Sequence, residues 1–234
     1  MRFYEPNIDK EHLGRVCVLN EENSHHFVKV LRGKVGQSVQ LFSGRGGEFS
    51  ATVEEISKKK VTVSIISFYQ DDRLPQFKQT LVVGLTNKQK MALIIQKATE
   101  LGVGQIQPLI TKRTQGGAVG QFNEGVRRRY EKIIISAAMQ SGLNRLPELK
   151  DPKEVDGLPW SIWERVNCYI CDPQGRDPSA IKKGDSVWLI GPEGGWSDDE
   201  IRYLVSKGCE KICLAKTVLR METAAICALF LGGV

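Results

Sequence analysis

Histidine is scarce in this chain. Three occur in 234 residues, His12, His25 and His26, all near the start. The pair in Cys168-Tyr-Ile-Cys171 would supply half of a tetrahedral metal site. A strand-like run puts residues three apart on opposite faces, however, and the remaining ligands are missing nearby. The six cysteines (Cys17, Cys168, Cys171, Cys209, Cys213 and Cys227) are therefore expected as free thiols, and no metal is expected. There is no apolar run of about 18 residues, which excludes a helical membrane span. The opening Met1-Arg2-Phe3-Tyr4-Glu5-Pro6 has no apolar secretory core, so a soluble, cytoplasmic protein is expected. Internal repeats and low-complexity segments are absent. So are G-x-G-x-x-G and G-x-x-x-x-G-K-[ST], which argues against a dinucleotide or triphosphate cradle.

What is present is an ordinary globular composition, 41% apolar and 26% charged, over a length that suits one large and one small domain. The net charge of +6 is unevenly spread. Residues 1–73 carry 11 Lys/Arg against 10 Asp/Glu, residues 74–150 carry 12 against 4, and residues 151–234 carry 10 against 13. A basic middle third favours polyanions through counterion release, although a solvated face has the same composition.

Residues 1–73 read as a small β-rich domain. An amphipathic piece, Ser24–Arg32, precedes strand-like runs at Ser38–Ser43, Glu48–Ile56 and Lys60–Phe68. Gly44–Gly47 and Ser57-Lys58-Lys59 supply turns between them. Val61, Val63 and Ile65 alternate with Thr62, Ser64 and Ile66 as in a half-buried strand. The polar Asp71-Asp72-Arg73-Leu74-Pro75 marks a domain boundary. Residues 74–234 alternate strand and helix: strands Thr80–Leu85, Gln105–Ile110, Asn167–Cys171, Ser186–Ile190 and Lys211–Leu214, with helices Lys88–Leu101, Asn123–Ser141 and Glu222–Leu231. Gly102 and Gly142 stop the first two helices. The pattern predicts an α/β fold with a mostly parallel sheet covered on both faces.

One constellation points to chemistry. The apolar strand Val187–Ile190 runs into Gly191-Pro192-Glu193-Gly194-Gly195-Trp196, and Ser197 with Glu200 three residues on forms a capping box that starts a helix. A glycine loop at the carboxyl end of a buried strand is where open α/β sheets bind ligands. A plain tight turn is the simpler reading of the same residues. Glu193, Asp198 and Asp199 would repel a phosphate and suit ribose hydroxyls, an amine or a sulfonium. That points towards a ligand such as S-adenosylmethionine (SAM), with helix capping as the other use of these carboxylates. Two more exits resemble this one: Tyr169–Cys171 opening into Asp172-Pro173-Gln174-Gly175, and Lys211–Leu214 opening into Ala215–Met221 before a helix start at Glu222. Three such exits suffice to line one pocket. Its candidate cofactor contacts are Cys171, Asp172, Pro173, Ile190, Gly191, Glu193, Gly194, Gly195, Leu214, Val218, Leu219 and Arg220.

The chain resembles the RsmE family of the SPOUT superfamily. The matching stretches are His26–Arg32, Lys90-Met91, Gln96–Gly102, Gln140-Ser141-Gly142 with Pro147, Ile190–Gly195 and Leu219-Arg-Met-Glu-Thr-Ala224. They span nearly the whole chain, and the glycine loop together with the Leu-Arg-x-Glu-Thr segment is highly specific. The resemblance implies methylation of N3 of a uridine in 16S ribosomal RNA of the small ribosomal subunit. It also implies a PUA-like β-barrel, a methyltransferase domain knotted as a trefoil, SAM bound in the knot, and a homodimer with sites near the subunit interface. Against the family's usual residues, Met139 stands for Glu, Leu143 for Arg, and Ala215 and Thr217 for Gly and Arg.

Uridine N3 must lose its proton before its lone pair attacks a methyl group, so a base or an anion-stabilising cation is required. Arg220 is the candidate cation, with Glu222 as its orienting group or as the base, and an Arg220–Glu222 salt bridge is the purely structural reading. Arg127, Arg128, Arg129 and Lys132, with Lys29, Arg32 and Arg45, form the expected RNA footprint. A non-enzymatic RNA-binding or ribosome-assembly factor is the alternative function.

Overall fold

The computed structural model describes every residue except Lys58, Lys59, Gln115 and Val234, and only the backbone of Ala118, Val119 and Gln121. The turn expected at Lys58-Lys59 lies outside the described residues. Two compact units form. The first comprises Met1–Leu74 together with Ala138–Leu146, and the second the remainder.

The first unit is built on a five-stranded sheet, with β1 (Arg2–Tyr4), β2 (Val16–Val18), β3 (Ser38–Phe42), β4 (Glu48–Ile56) and β5 (Val61–Tyr69) in the order β1-β3-β4-β5-β2. The pairs are antiparallel except β1 with β3. The alternation read from the sequence holds: Val61, Val63 and Ile65 are buried, together with Phe3, Phe27, Leu41, Phe49 and Val53. β1 and β2 are the edges. The short helix α1 (Glu21–His25) ties one edge down, because Asn23 Nδ2 donates to the Tyr4 carbonyl at 2.8 Å and to Glu5 Oε1 at 2.8 Å. A π-turn, His26–Val30, completes the expected amphipathic piece.

Asp71–Arg73 is not a free linker. Arg2 Nη1 donates to the Ala138 carbonyl at 2.8 Å and Nη2 to the Leu143 carbonyl at 2.6 Å. Arg73 bonds the Gly142 carbonyl at 3.2 Å and Glu48 Oε1 at 2.8 Å. Asn144 reaches the Asp71 carbonyl, and Arg145 pairs with Asp72 at 3.0 Å. Arg2 and Arg73 thus satisfy the Leu143 and Gly142 carbonyls, which lie past a helix end, and the Asn144 amide satisfies the carbonyl of Asp71. The expected division at residue 73 therefore needs amending: the first unit also recruits a segment from much later in the chain. Leu143 is buried with Phe42 and Ala138, so the position where the family usually has Arg is a core position here.

The second unit contains β6 (Gln79–Gly84), α2 (Lys88–Glu100), β7 (Gln105–Ile110), α3 (Gly116–Gln121), α4 (Glu124–Ser141), β8 (Glu148–Leu149), β9 (Lys153–Glu154), α5 (Trp160–Trp163), β10 (Asn167–Arg176), β11 (Ser186–Ile190), α6 (Asp198–Ser206), β12 (Glu210–Ile212) and α7 (Met221–Gly233). Its strands are all parallel, in the order β12-β10-β11-β6-β7-β8, with β9 also on β7. The predicted fold class stands: an α/β fold with a mostly parallel sheet, beside a small N-terminal β domain. β11 is central and buried along its whole length, as its unbroken apolar run requires. Trp163 and Leu204 cover one face through Val82, Val187 and Leu189, whereas α7 packs on β6, β11 and α2. The chain winds outward from β6 to β8 and then returns to place β10 and β11 on the other side of β6. Winding reverses between β6 and β11, and at such a switch point the carboxyl ends of the strands open a crevice.

Candidate cofactor site

At the carboxyl ends of β10, β11 and β12 lies an open cavity of about 1020 Å³, of the size that small-molecule sites occupy. From β10 come Cys171, Asp172 and Pro173; from β11 come Ile190, Gly191, Glu193 and Gly195; from the approach to α7 come Val218, Leu219, Arg220 and Glu222. The three exits singled out in the sequence therefore meet. Leu214 lines an adjoining cleft of about 80 Å³. Gly194, between two lining residues, turns its carbonyl to Arg113 Nη1 at 2.9 Å.

The local chemistry explains these positions. Gly195 closes a turn with its amide on the Pro192 carbonyl (2.8 Å) and has φ +70°, a conformation costly for any side chain bearing a Cβ. The expected capping box is present: Ser197 Oγ accepts the Glu200 amide at 3.3 Å, and Glu200 Oε2 accepts the Ser197 amide at 2.9 Å. Glu200 Oε1 also takes the Lys112 amide at 2.8 Å, so this carboxylate is wholly structural.

Charges in the cavity divide into paired and open ones. Asp172 Oδ1 accepts the Gln174 amide at 2.7 Å and lies 3.3 Å from Lys211 Nζ. Glu193 is paired with Lys90 at 2.8 Å, and Arg202 is paired with Asp199. Asp199 also holds Lys112 and does not line the cavity. Asp198, Glu222 and Arg220 line the cavity and have no ion pair among the described residues. The Arg220–Glu222 salt bridge is thus not formed. The hydrogen bond from Lys90, then that from Thr86, holds the Glu193 carboxyl below its ordinary range. Burial, with Cys227 adding, pushes the Cys171 thiol up, so Cys171 forms a neutral wall. Cys168, on the other face of β10, has its thiol raised by contact with Cys209 and by burial.

Sequence reasoning missed the exit of β6. Lys90 lines the cavity, and the end of β6 presses on the glycine loop: a Cβ at Gly84 would stand 2.7 Å from the Pro192 nitrogen. Trp196, Ile201, Arg202 and Lys211 also line the cavity without having been assigned there, and Asp198, expected for its carboxylate, lines it too. The helical spacing that places Ile201 and Arg202 on the same side of α6 as Asp198 was the signal available for these two.

The basic candidates separate. Arg127 is held within its unit by Glu131 at 3.1 Å, by Asp151 and by the Leu149 carbonyl at 2.8 Å. The Arg45 guanidinium bonds the Pro6 and Ile8 carbonyls at 2.6 and 3.0 Å. Arg128 is exposed and pairs loosely with Glu124, while Arg129 and Lys132 are exposed on the same helix. Lys29 and Arg32 are exposed in the first unit, Arg32 with φ +50°.

A parallel sheet with a ligand crevice at the carboxyl ends of its strands, preceded by a small β domain, defines an α/β ligand-binding protein. Residues 72–231 match the model of the RNA methyltransferase domain, and residues 19–66 match that of the RNA methyltransferase PUA domain. The ribosomal RNA small subunit methyltransferase E of Rickettsia conorii is 32% identical over 92% of this chain and 88% of its own length. That of Bacillus subtilis is 29% identical over 89% and 86%. The chain belongs to the ribosomal RNA small subunit methyltransferase E family. Among solved structures, Lpg2936 of Legionella pneumophila, in complex with SAM, is 34% identical with a TM-score of 0.89 over 98% of this chain and 95% of that one. The Neisseria gonorrhoeae family member bound to SAM is 27% identical with a TM-score of 0.84 over 98% and 94%. Among the described residues no helix is long and apolar enough to cross a membrane.

Proposed function

We propose that the chain binds SAM in the crevice beyond β10, β11 and β12 and methylates N3 of a uridine in 16S ribosomal RNA of the small subunit, as a cytoplasmic enzyme. The observation that carries this reading is the set of open charges on the cavity wall, Asp198 and Glu222 with Arg220. Two carboxylates suit the ammonium and hydroxyls of SAM, and the cation remains for a substrate that becomes anionic. The neutralised Glu193 and Asp172 contribute hydrogen-bond acceptors more than net charge. SAM supplies, when bound, the electrophilic methyl group. Leu219 and Val218 wall the cavity beside Arg220. Arg220 stabilises the negative charge that deprotonated uridine spreads over its carbonyl oxygens, and Glu222, two residues on in the first turn of α7 and not paired with that guanidinium, accepts the N3 proton. Much of the remaining acceleration is positioning.

Arg128, Arg129 and Lys132, with Lys29 and Arg32, serve as phosphate contacts that orient the RNA without reading its sequence. A homodimer accounts for α7. This helix is apolar on every side, yet Phe230 is 58% exposed, as is Val218 beside the cavity at 83%.

Incubation with labelled SAM and small-subunit RNA or particles tests the reading. Label is expected in 16S RNA at one uridine, where reverse transcription halts because an N3 methyl blocks the pairing edge. Absence of label from every RNA, with SAM still bound, would leave a non-enzymatic RNA-binding or assembly factor.

A further inference from the structure

Glu193 is held from outside its own loop. Its Oε1 accepts from Thr86 Oγ1 at 2.8 Å and from Lys90 Nζ at 2.8 Å. Thr86 follows β6, and Lys90 lies in the first turn of α2, where Asn87 Oδ1 caps the Gln89 and Lys90 amides at 3.1 and 3.0 Å. The backbones behind donor and acceptor are pressed together independently, at Gly84 and Pro192. One carboxylate oxygen therefore has two donors. The other, Oε2, has none among the described residues and belongs to a side chain that lines the cavity.

We infer that Lys90, assisted by Thr86, is a positioning residue for the cofactor: it locks Glu193 in one rotamer so that Oε2 meets a hydroxyl or ammonium donor of SAM. The inference rests on the reading of Glu193 as a cofactor contact. A glutamate free to rotate would lose rotamer entropy on each binding event, and a charge-assisted bond made beforehand removes that cost. Lys90 also keeps the carboxylate ionised at lower pH, since its hydrogen bond is the largest influence lowering the Glu193 pKa.

Calorimetric SAM affinity of the full chain, with RNA affinity measured in parallel, tests this in K90M, K90R, T86V, E193Q and the K90M/E193Q double variant. K90M is expected to weaken SAM binding about tenfold and T86V about threefold, with RNA affinity unchanged and most of the loss restored in K90R. The acid limb of SAM binding moves to higher pH in K90M, because protonation of Glu193 then begins nearer the ordinary carboxylate range. The double variant is expected to bind no more weakly than E193Q. Unchanged SAM affinity in K90M with weakened RNA affinity would overturn the inference and make Lys90 an RNA contact, and so would additive losses in the double variant. Unchanged SAM affinity in E193Q would instead remove Glu193 from the cofactor contacts, whatever K90M does.

Discussion

Arg220 stands out at the residue scale because, among the described residues, it is the cavity cation without an ion pair, whereas Lys90, Lys211 and Arg202 each have one. R220A is expected to lower kcat by about a hundredfold or more, the loss typical of removing one donor to a developing anion, with SAM affinity within a few-fold of wild type. Single-turnover methylation and calorimetry separate the two effects. A large loss of SAM affinity with kcat preserved would reassign Arg220 to the cofactor. That Arg220 and Glu222 line one cavity was legible in the sequence, since they border one helix start. The partner of Glu193 was not, because Lys90 is 103 positions away and a contact of that separation leaves no local pattern. Arg127 shows the converse case. Three consecutive arginines look alike as letters, and only the packing of Asp151 and the Leu149 carbonyl beside one of them sets it apart.

At the scale of elements, the long periodic helices and the apolar strands were readable, down to the glycines that stop α2 and α4. The two- and three-residue strands β1, β2, β8 and β9 were hard to read, because so few residues complete hardly more than one period of alternation. β10 also runs five residues beyond its apolar part, through Asp172–Arg176, held by pairing with β12 and not by burial. The Arg2–Glu48–Arg73 group, in which Arg2 and Glu48 are buried and Arg73 is exposed, was invisible for the same reason as Lys90. Glu48 is 6% exposed at its side chain, with two guanidinium groups at 3.6 and 2.8 Å. E48A is expected to destabilise the first unit by about 3–5 kcal/mol, because it leaves buried positive charge uncompensated. Thermal melting followed by a first-unit probe measures this, and a loss below about 1 kcal/mol would show that the group is dispensable.

On the whole-molecule scale, the uneven charge of the sequence survives in part as an exposed basic face on α4. The triple change R128A/R129A/K132A is expected to lower the slope of log affinity against log salt by about 2, at roughly 0.7–0.9 for each phosphate that the protein no longer neutralises. R127A is expected to cost stability and leave that slope alone. An unchanged slope in the triple variant would move the RNA footprint elsewhere. F230E, which charges the uncovered side of α7, is expected to yield monomers by sedimentation, and a wild-type chain that is itself monomeric would refute the dimer outright.

The recruitment of Ala138–Leu146 into the first unit has a consequence for how the protein is made. During synthesis, residues 1–74 leave the ribosome with Phe42 uncovered and Arg2 and Arg73 lacking the carbonyls that they bind in the finished fold. At about 5–20 residues per second, several seconds pass before residue 146 arrives. The N-terminal unit is therefore not completed when its own 74 residues have emerged. It waits, partly open, until more than half of the chain has emerged, and a truncated 1–74 fragment should be a substrate for chaperones and proteases rather than an independent RNA-binding module.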